Sequence, residues 1–148
     1  MRLTQAVELI AHPLAAEPPA GTAAYASLSR ALGGLRLDAV LRGAKDALLV
    51  PAGTSSVRRD GLWRHTCIEF FAGPSASKEY LEFNLSPAGE WGLYHFQDMR
   101  DPLPNPVVLP PDVTIEWVGQ DLHCAVQLST GQWPVSWIGQ QLEVRSEE

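Results

Sequence analysis

Hydrophobic and polar residues alternate over short stretches along most of this chain, as they do in half-buried β-strands. One of the clearest stretches runs from Trp63 to Phe71. A strand has a period of two, so Ile68 and Phe70 would share an apolar face that contributes to a core. The opposite face of this predicted strand carries Trp63, His65, Cys67 and Glu69.

A second clear alternation runs from Tyr80 to Ser86. Its apolar face consists of Leu81, Phe83 and Leu85. Its polar face consists of Tyr80, Glu82, Asn84 and Ser86. Side by side, the two predicted strands would present tryptophan, histidine, two glutamates, asparagine and tyrosine on one sheet face. Such a face is suited to binding hydroxyl groups and a flat apolar ring.

The chain before these stretches predicts further strands. The first is expected over Leu3 to Ala11, and another over Leu35 to Val40 after a two-residue hairpin turn at Gly33-Gly34. Tyr25 to Leu32 is compatible with a short helix or a strand, and the hairpin favours the strand. Asp46 to Val50 is predicted to be a brief strand that follows Gly43.

The second half of the chain predicts a meander. Turns over Ala72 to Ser77 and over Ser86 to Glu90 would connect the two alternating stretches to a third strand, Trp91 to Phe96. A proline-rich segment, Gln97 to Asp112, precedes a predicted hairpin around Gly119-Gln120-Asp121. Such a series of short strands predicts a single all-β domain over residues 1–148, an antiparallel β-sandwich of jelly-roll type.

Composition narrows the possible functions. The 148 residues are 45% hydrophobic and carry a formal net charge of −6, which argues against binding to a phosphate backbone. No apolar run approaches the roughly 20 residues of a membrane-spanning helix. The N-terminal residues lack the apolar region of a signal peptide, so a cytoplasmic protein with no nucleic-acid or membrane partner is expected.

Two cysteines, Cys67 and Cys124, are too few for a disulfide framework. Two buried free thiols are the expectation, and a Cys67–Cys124 bridge stays open because bridging depends on Cβ geometry. His65 and Cys67 have no third ligand at suitable spacing, so no metal site is predicted.

Two runs carry a resemblance to a known family. They are Asp60-Gly61-Leu62-Trp63-Arg64-His65-Thr66-Cys67-Ile68-Glu69 and Glu82-Phe83-Asn84-Leu85-Ser86-Pro87-Ala88-Gly89-Glu90-Trp91, followed by Phe96 to Arg100. Over about residues 58 to 100 the chain resembles the bacterial DOMON-like domain proteins, a group that is similar to the family 9 carbohydrate-binding modules. The resemblance implies a β-sandwich with a sugar-binding face. Similar proteins usually continue with a further strand, so a C-terminal edge strand could be lacking here.

In the carbohydrate-binding relatives, tryptophans clamp a sugar ring while carboxylate and amide groups bind its hydroxyls. The resemblance and the shared strand face together give seven candidate ligand-binding residues: Trp63, His65, Glu69, Glu82, Asn84, Trp91 and Arg100. Trp63 would stack on the ligand, and Arg100 with the proline-rich segment would form a rim. The leading hypothesis is a carbohydrate-binding domain, or one for a similar polyhydroxylated small ligand, with no catalytic residues and no cofactor.

Three alternatives remain at this stage. Glu69 and Glu82 could act as the carboxylate pair of a small glycoside hydrolase. The tryptophan-rich face could instead dock a protein partner. Some DOMON-type domains bind haem through methionine and histidine, and Met99 with His95 or His123 could serve that purpose here.

Overall fold

The computed structural model describes residues 7–8, 17–31, 34–48, 56–106, 110–129, 134 and 142–145. Ten strands follow one another in this part of the chain: β1 (Val7–Glu8), β2 (Ala23–Ala31), β3 (Gly34–Arg42), β4 (Ile68–Pro74), β5 (Tyr80–Leu85), β6 (Trp91–Asp98), β7 (Asp101–Pro102), β8 (Asp112–Val118), β9 (Asp121–Ser129) and β10 (Leu142–Arg145). A single turn of helix, α1 (Ala44–Ala47), and a 3₁₀ turn, η1 (Leu62–Arg64), complete the described elements.

The strands form two antiparallel five-stranded sheets. Sheet I has the order β1-β2-β3-β9-β8, and sheet II has the order β10-β4-β5-β6-β7. One cluster of buried apolar side chains draws on both sheets: Leu28, Leu37, Leu122, Val126 and Leu128 from sheet I, and Phe70, Leu81, Phe83, Leu85 and Leu93 from sheet II. Because the two sheets share a core, the fold is an all-β sandwich, as the alternation predicted.

The hairpin between β2 and β3 settles the ambiguity over Tyr25 to Leu32, where the strand is confirmed. Ala31 lies opposite Gly34, and residues 32 and 33 lie outside the described residues. Gly34 is the first residue of β3 rather than part of the turn. A Cβ atom at this position would lie 1.8 Å from the carbonyl oxygen of Leu128 on β9, so only glycine fits.

The three-strand meander is also confirmed. In the β4-β5-β6 register, Phe70 lies opposite Phe83, and Phe83 lies opposite Leu93, so all three side chains point into the core. The predicted turn before β6 contains Gly89 at φ 90°, a dihedral angle that glycine adopts without strain. The face of β5 that bears Glu82 and Asn84 is therefore directed away from the core.

The predicted strand from Trp63 to Phe71 is wrong in its first half. Gly61 adopts φ 77°, and the backbone then closes the 3₁₀ turn η1, in which the amides of Arg64 and His65 donate to the carbonyls of Gly61 and Leu62. Leu62 is buried and anchors this turn. Since β4 begins only at Ile68, Trp63 and His65 do not lie on the strand that carries Glu69.

Other boundaries differ as well. Ala44–Ala47 is a helical turn where a strand from Asp46 was predicted, and residues 49 and 50 lie outside the described part of the chain. β4 continues through Ala72 to Pro74 because β10 pairs with it there, so the predicted turn begins at Ser75. β10 forms an edge of sheet II near the C-terminal end of the sequence. Of the strand predicted over Leu3 to Ala11, the structure describes only β1.

The hairpin of β8 and β9 is confirmed, with Gly119 and Gln120 as its two connecting residues. Within the proline-rich segment, Asp101–Pro102 pairs with the end of β6 as β7, and residues 107–109 lie outside the described chain. None of the described helices is long and apolar enough to cross a membrane.

Candidate functional site

The face of sheet II that points away from the core, here called the outer face, collects polar and aromatic side chains from three adjacent strands. Three rows cross it in register. The first row is Glu69, Asn84 and Gly92, the second is Phe71, Glu82 and Tyr94, and the third is Tyr80 and Phe96. The structure therefore brings three of the predicted site residues, Glu69, Glu82 and Asn84, onto one surface.

Asn84 is the most unusual residue of this surface. It is completely buried although it lies on the outer face. Neither its Oδ1 nor its Nδ2 atom has a hydrogen-bond partner among the described residues. An unsatisfied buried polar group is unfavourable by about 1–3 kcal/mol, and native structures contain few of them. The amide thus has an acceptor oxygen and two donor hydrogens without a partner among the described residues, and a ligand could reach them only if the side chains that cover Asn84 move aside.

Cys67 lies near Glu69 and Glu82, the two carboxylates that share the outer face with Asn84. Burial raises the pKa of the Cys67 thiol to about 12, and the negative charge of Glu69, with a smaller effect from Glu82, acts in the same direction. The thiol is therefore close enough to both carboxylates for their negative charges to raise its pKa. It contacts the Ile68 carbonyl oxygen at 3.7 Å. A thiol that stays protonated at neutral pH is a poor nucleophile, so the arrangement does not favour chemistry at Cys67.

Tyr94 borders Asn84 on the other side. A Cβ atom on Gly92 would lie 2.9 Å from the Tyr94 ring, so the ring folds back over Gly92, which is opposite Asn84 in the register. Glycine at this position provides the space for the ring. Tyr94 also donates a hydrogen bond from its hydroxyl to Asp60 Oδ1 at 2.8 Å. Burial, followed by this bond to Asp60, raises the pKa of Tyr94 to about 12.

The segment Val57–Asp60, here called the strap, is attached to the beginning of β6. The Trp91 amide donates to the Val57 carbonyl at 3.1 Å, and the Arg59 amide donates to the Trp91 carbonyl at 2.9 Å. The Arg58 guanidinium lies 5.6 Å from the centre of the Tyr94 ring and donates to the Leu93 carbonyl at 3.2 Å. The strap and Tyr94 together form a wall at this end of the outer face.

Aromatic rings occupy the other end. Tyr80 and Phe96 stack with their centroids 4.8 Å apart and their planes 13° from parallel, and Phe71 lies 6.2 Å from Tyr80. All three residues are half-buried. They give the outer face an apolar region next to Glu82.

Trp63 lies in the turn η1, which packs against β5, and His65 directly follows it. The Trp63 side chain is 58% exposed, and the Arg64 guanidinium lies 5.1 Å from the centre of its ring. His65 is exposed directly after the turn. The two residues therefore lie in a turn before β4, whereas the sequence predicted them on the strand itself.

The structure places two predicted site residues elsewhere. Trp91 is buried in the core, with its ring stacked on Phe83 at 6.5 Å, because its side chain points to the apolar face of β6. Arg100 is exposed in the turn after β6 at φ 57°, eight residues beyond Gly92. The six strand steps from Gly92 to Asp98 already span roughly 20 Å, so Arg100 is remote from Asn84. Neither residue belongs to the candidate site.

The residues considered for haem are not brought together. Met99 is 63% exposed in the turn after β6, whereas His123 is exposed on β9 of sheet I. His95 Nε2 is already 2.5 Å from Glu79 Oε1. The described residues contain no group of three or more His, Cys, Asp or Glu side chains that could hold a metal ion. Cys67 and Cys124 are both free thiols.

A separate concave region of about 440 Å³ lies at one end of sheet I. It is bordered by Pro19, Arg42, Asp46 and Asp121. Asp121 already accepts a hydrogen bond from the Gly43 amide at 3.0 Å. None of the candidate residues lines this region, so its size alone does not make it the site.

Two features of the outer face were absent from the sequence prediction. Tyr94 could have been found, because the alternation of β6 places Gly92, Tyr94 and Phe96 on the same face as Asn84. The strap could not, since its contact with Tyr94 joins residues 34 positions apart. Comparisons with models of protein families, with curated proteins and with solved structures gave no match.

Proposed function

We propose that the outer face of sheet II binds a carbohydrate or a similar polyhydroxylated small ligand, without catalysing a reaction. The observation that carries this proposal is Asn84, a buried amide on the outer face whose donor and acceptor have no partner among the described residues. Neighbouring sugar hydroxyls offer both a donor and an acceptor, which matches the two atoms of a primary amide.

The surrounding residues have complementary roles in this proposal. Glu69 and Glu82 accept hydrogen bonds from hydroxyl groups, which requires no unusual pKa. Trp63 provides an exposed ring at the edge, and the Phe71, Tyr80 and Phe96 rings provide an apolar surface for CH groups. Binding of this kind is modest in affinity, because ordering the ligand offsets much of the gain from a few hydrogen bonds and ring contacts.

The experiment is a glycan and monosaccharide screen followed by titration calorimetry. Asn84→Leu removes both amide atoms at nearly constant volume, and Trp63→Ala removes the exposed ring. Trp117→Ala is the matched control for the latter, because Trp117 is also exposed, at 42%, but lies on sheet I. We expect Asn84→Leu to abolish binding, Trp63→Ala to weaken it and Trp117→Ala to leave it unchanged. Equal binding by all four proteins would contradict the proposal.

A second candidate function is glycoside hydrolysis. Glu69 and Glu82 lie on one face of neighbouring strands, one step diagonally apart. Diagonal neighbours have backbone positions about 7–8 Å apart, and side chains at that spacing can hold their carboxyl groups at the roughly 6.5–9.5 Å separation used by inverting hydrolases. Turnover of a glycan by the wild type, lost in Glu69→Gln with binding retained, would favour the enzyme. Binding without turnover favours the proposal above.

A further inference from the structure

The Asn84 amide lies beneath the outer face rather than open on it. Asn84 is 0% exposed, although Glu82, two residues earlier on the same face, is half-buried. A residue on the outward face of a sheet is buried only where another group lies over it. A ligand therefore reaches this amide only after a covering group has moved.

The Tyr94 ring is such a covering group. Asn84 and Gly92 lie directly opposite each other on β5 and β6, so their Cα atoms are about 4.5–5.5 Å apart and both side-chain positions face outward. The Cε2 atom and the hydroxyl oxygen of Tyr94 both lie 2.9 Å from the place that a Cβ atom of Gly92 would take. The ring therefore fills the side-chain space directly beside the amide.

Two contacts from the strap hold the ring in this position. The Tyr94 hydroxyl donates to Asp60 Oδ1 at 2.8 Å, and the Arg58 guanidinium lies 5.6 Å from the ring centre. The Asp60 side chain is 70% exposed, so water competes for this hydrogen bond. Opening such a contact needs far less free energy than unfolding the domain.

The surroundings also allow the ring to leave. Gly92 has no side chain that would block a rotation of Tyr94 about its Cα–Cβ bond, and side chains on strands occupy more than one common rotamer. Phe96 lies two residues further along the same face, where its ring and that of Tyr80 form an apolar surface. A Tyr94 ring that turns away from Gly92 along the strand meets this surface.

We propose that Tyr94 gates the amide of Asn84. In the closed position, the hydrogen bond to Asp60 holds the ring beside the amide. When this bond opens, the ring turns away from Gly92 and the amide becomes accessible. The movement is a property of the protein alone, whereas its use in admitting a ligand rests on the proposed function.

Hydrogen exchange of the Asn84 side-chain amide, measured by NMR of the full ¹⁵N-labelled chain, tests the gate without a ligand. Tyr94→Phe keeps the ring and removes its hydrogen bond, so we expect this exchange to accelerate by roughly tenfold. Gly92→Ala keeps Tyr94 and Asp60 but places a methyl group against the ring, and it should accelerate the exchange as well. Gly92 does not have a positive φ, so its backbone accepts alanine.

Two control signals belong to the same spectra. The backbone amide of Asn84 reports opening of β5 itself, and the side-chain amide of Asn105, an exposed residue, reports exchange without a cover. Both should be unchanged in the variants. Equal Asn84 side-chain exchange in the wild type, Tyr94→Phe and Gly92→Ala would overturn the proposal. So would a parallel acceleration of the Asn84 backbone amide, which indicates local unfolding of the strand.

A ligand from the glycan screen separates the gate from the proposed function. In stopped-flow tryptophan fluorescence, the association and dissociation rate constants should both increase in Tyr94→Phe, because the hydrogen bond that closes the empty site also holds the ring against the bound ligand. Unchanged rate constants would overturn the role of Tyr94 in admitting the ligand. If no glycan binds, the proposed function fails, while the exchange experiment still decides whether Tyr94 gates the amide.

Discussion

At Asn84, a single substitution should change ligand binding and the stability of the fold in different ways. Its buried amide has no partner among the described residues, and relieving such a group is worth about 1–3 kcal/mol. Replacement by leucine removes the polar atoms and keeps the volume. We therefore expect Asn84→Leu to unfold at the same or a higher urea concentration than the wild type, while ligand binding is lost. The comparison is made by urea denaturation followed by tryptophan fluorescence.

Asn84→Ala is the control for this prediction, because it removes the amide but leaves a cavity, which destabilises a buried site. The order of stability should be leucine, then asparagine, then alanine. A marked loss of stability in Asn84→Leu would show that the amide is satisfied in the free protein, and the basis of the proposed site would fail.

Cys67 should be unreactive in the folded protein. Burial and the charge of Glu69 raise its pKa from 9.0 to about 12, which lowers the thiolate population at pH 8 by roughly a thousandfold. We expect iodoacetamide to alkylate neither Cys67 nor Cys124 in native protein over a time in which both react in urea. Peptide mass spectrometry locates the label. Rapid labelling of Cys67 in the native state would contradict this description of its surroundings.

Alternation alone indicated the orientation of Glu69, Glu82 and Asn84, because the period of two applies to every strand. The burial of Asn84 was not predictable in the same way. It depends on residues that approach β5 from other parts of the chain, and the alternation of one strand contains no information about them. For the same reason the sequence did not reveal that Trp91, a candidate from the family resemblance, faces the core.

At the level of elements, the strap is held by backbone hydrogen bonds to Trp91 and by side-chain contacts, two of which involve Tyr94. Tyr94→Phe removes the hydrogen bond to Asp60 and keeps the ring over Gly92. A bond to a charged acceptor contributes about 1.5–3 kcal/mol, and this one is partly exposed, so the low end applies. We expect faster amide exchange in the strap and a modest loss of ligand affinity, with exchange in β8 and β9 unchanged.

Hydrogen exchange with mass spectrometry measures both regions in one experiment. Asp60→Asn is the matched variant, since it keeps an acceptor for the Tyr94 hydroxyl and removes the charge; it should have a smaller effect than Tyr94→Phe. Exchange that is equal in the strap for all three proteins would show that this hydrogen bond does not hold the segment.

The strands that the sequence predicted best are those bounded by local turn residues. The β8–β9 hairpin and the turn before β6 contain glycines with positive φ, and their strands alternate regularly. The Trp63 to Phe71 prediction failed because its alternation continues through η1. Gly61 at φ 77° and the burial of Leu62 bend the backbone there, and these tertiary constraints override a local pattern.

In the whole molecule, three acidic groups have raised pKa values, so the free energy of unfolding depends on pH in the alkaline range. The pKa is raised by burial to about 12 for Cys67, about 12 for Tyr94 and about 11 for Cys124, from ordinary values of 9.0, 10.0 and 9.0. The unfolded chain loses these protons first as the pH rises. Stability from this source is therefore complete below pH 9 and decreases from about pH 9 to 12.

Urea denaturation at pH 8, 9 and 10.5 checks this, with the midpoint expected to fall over the range. Cys124→Ala, which removes one titrating group from the core, should make the fall less steep. A midpoint that does not change between pH 8 and pH 10.5 would contradict the assigned burial of these groups.

The fold class followed from the sequence because a two-layer sandwich is a natural way to bury many short alternating strands. The pairing of β10 with β4 did not follow, since it joins residues about 70 positions apart without a local turn signal. The same limitation applies to the site. Its strands were predicted, whereas the strap and η1 that complete it depend on contacts between distant segments.

The measurement that tests the central claim most directly is an NMR titration of ¹⁵N-labelled protein with a ligand from the glycan screen. The side-chain amide signals of Asn84 are assigned by their absence in Asn84→Leu. We expect these signals to shift on binding, together with the backbone amides of Glu69, Glu82 and Tyr94. Ligand-induced shifts confined to sheet I or to the concave region beside Asp121, with the Asn84 signals unchanged, would contradict it.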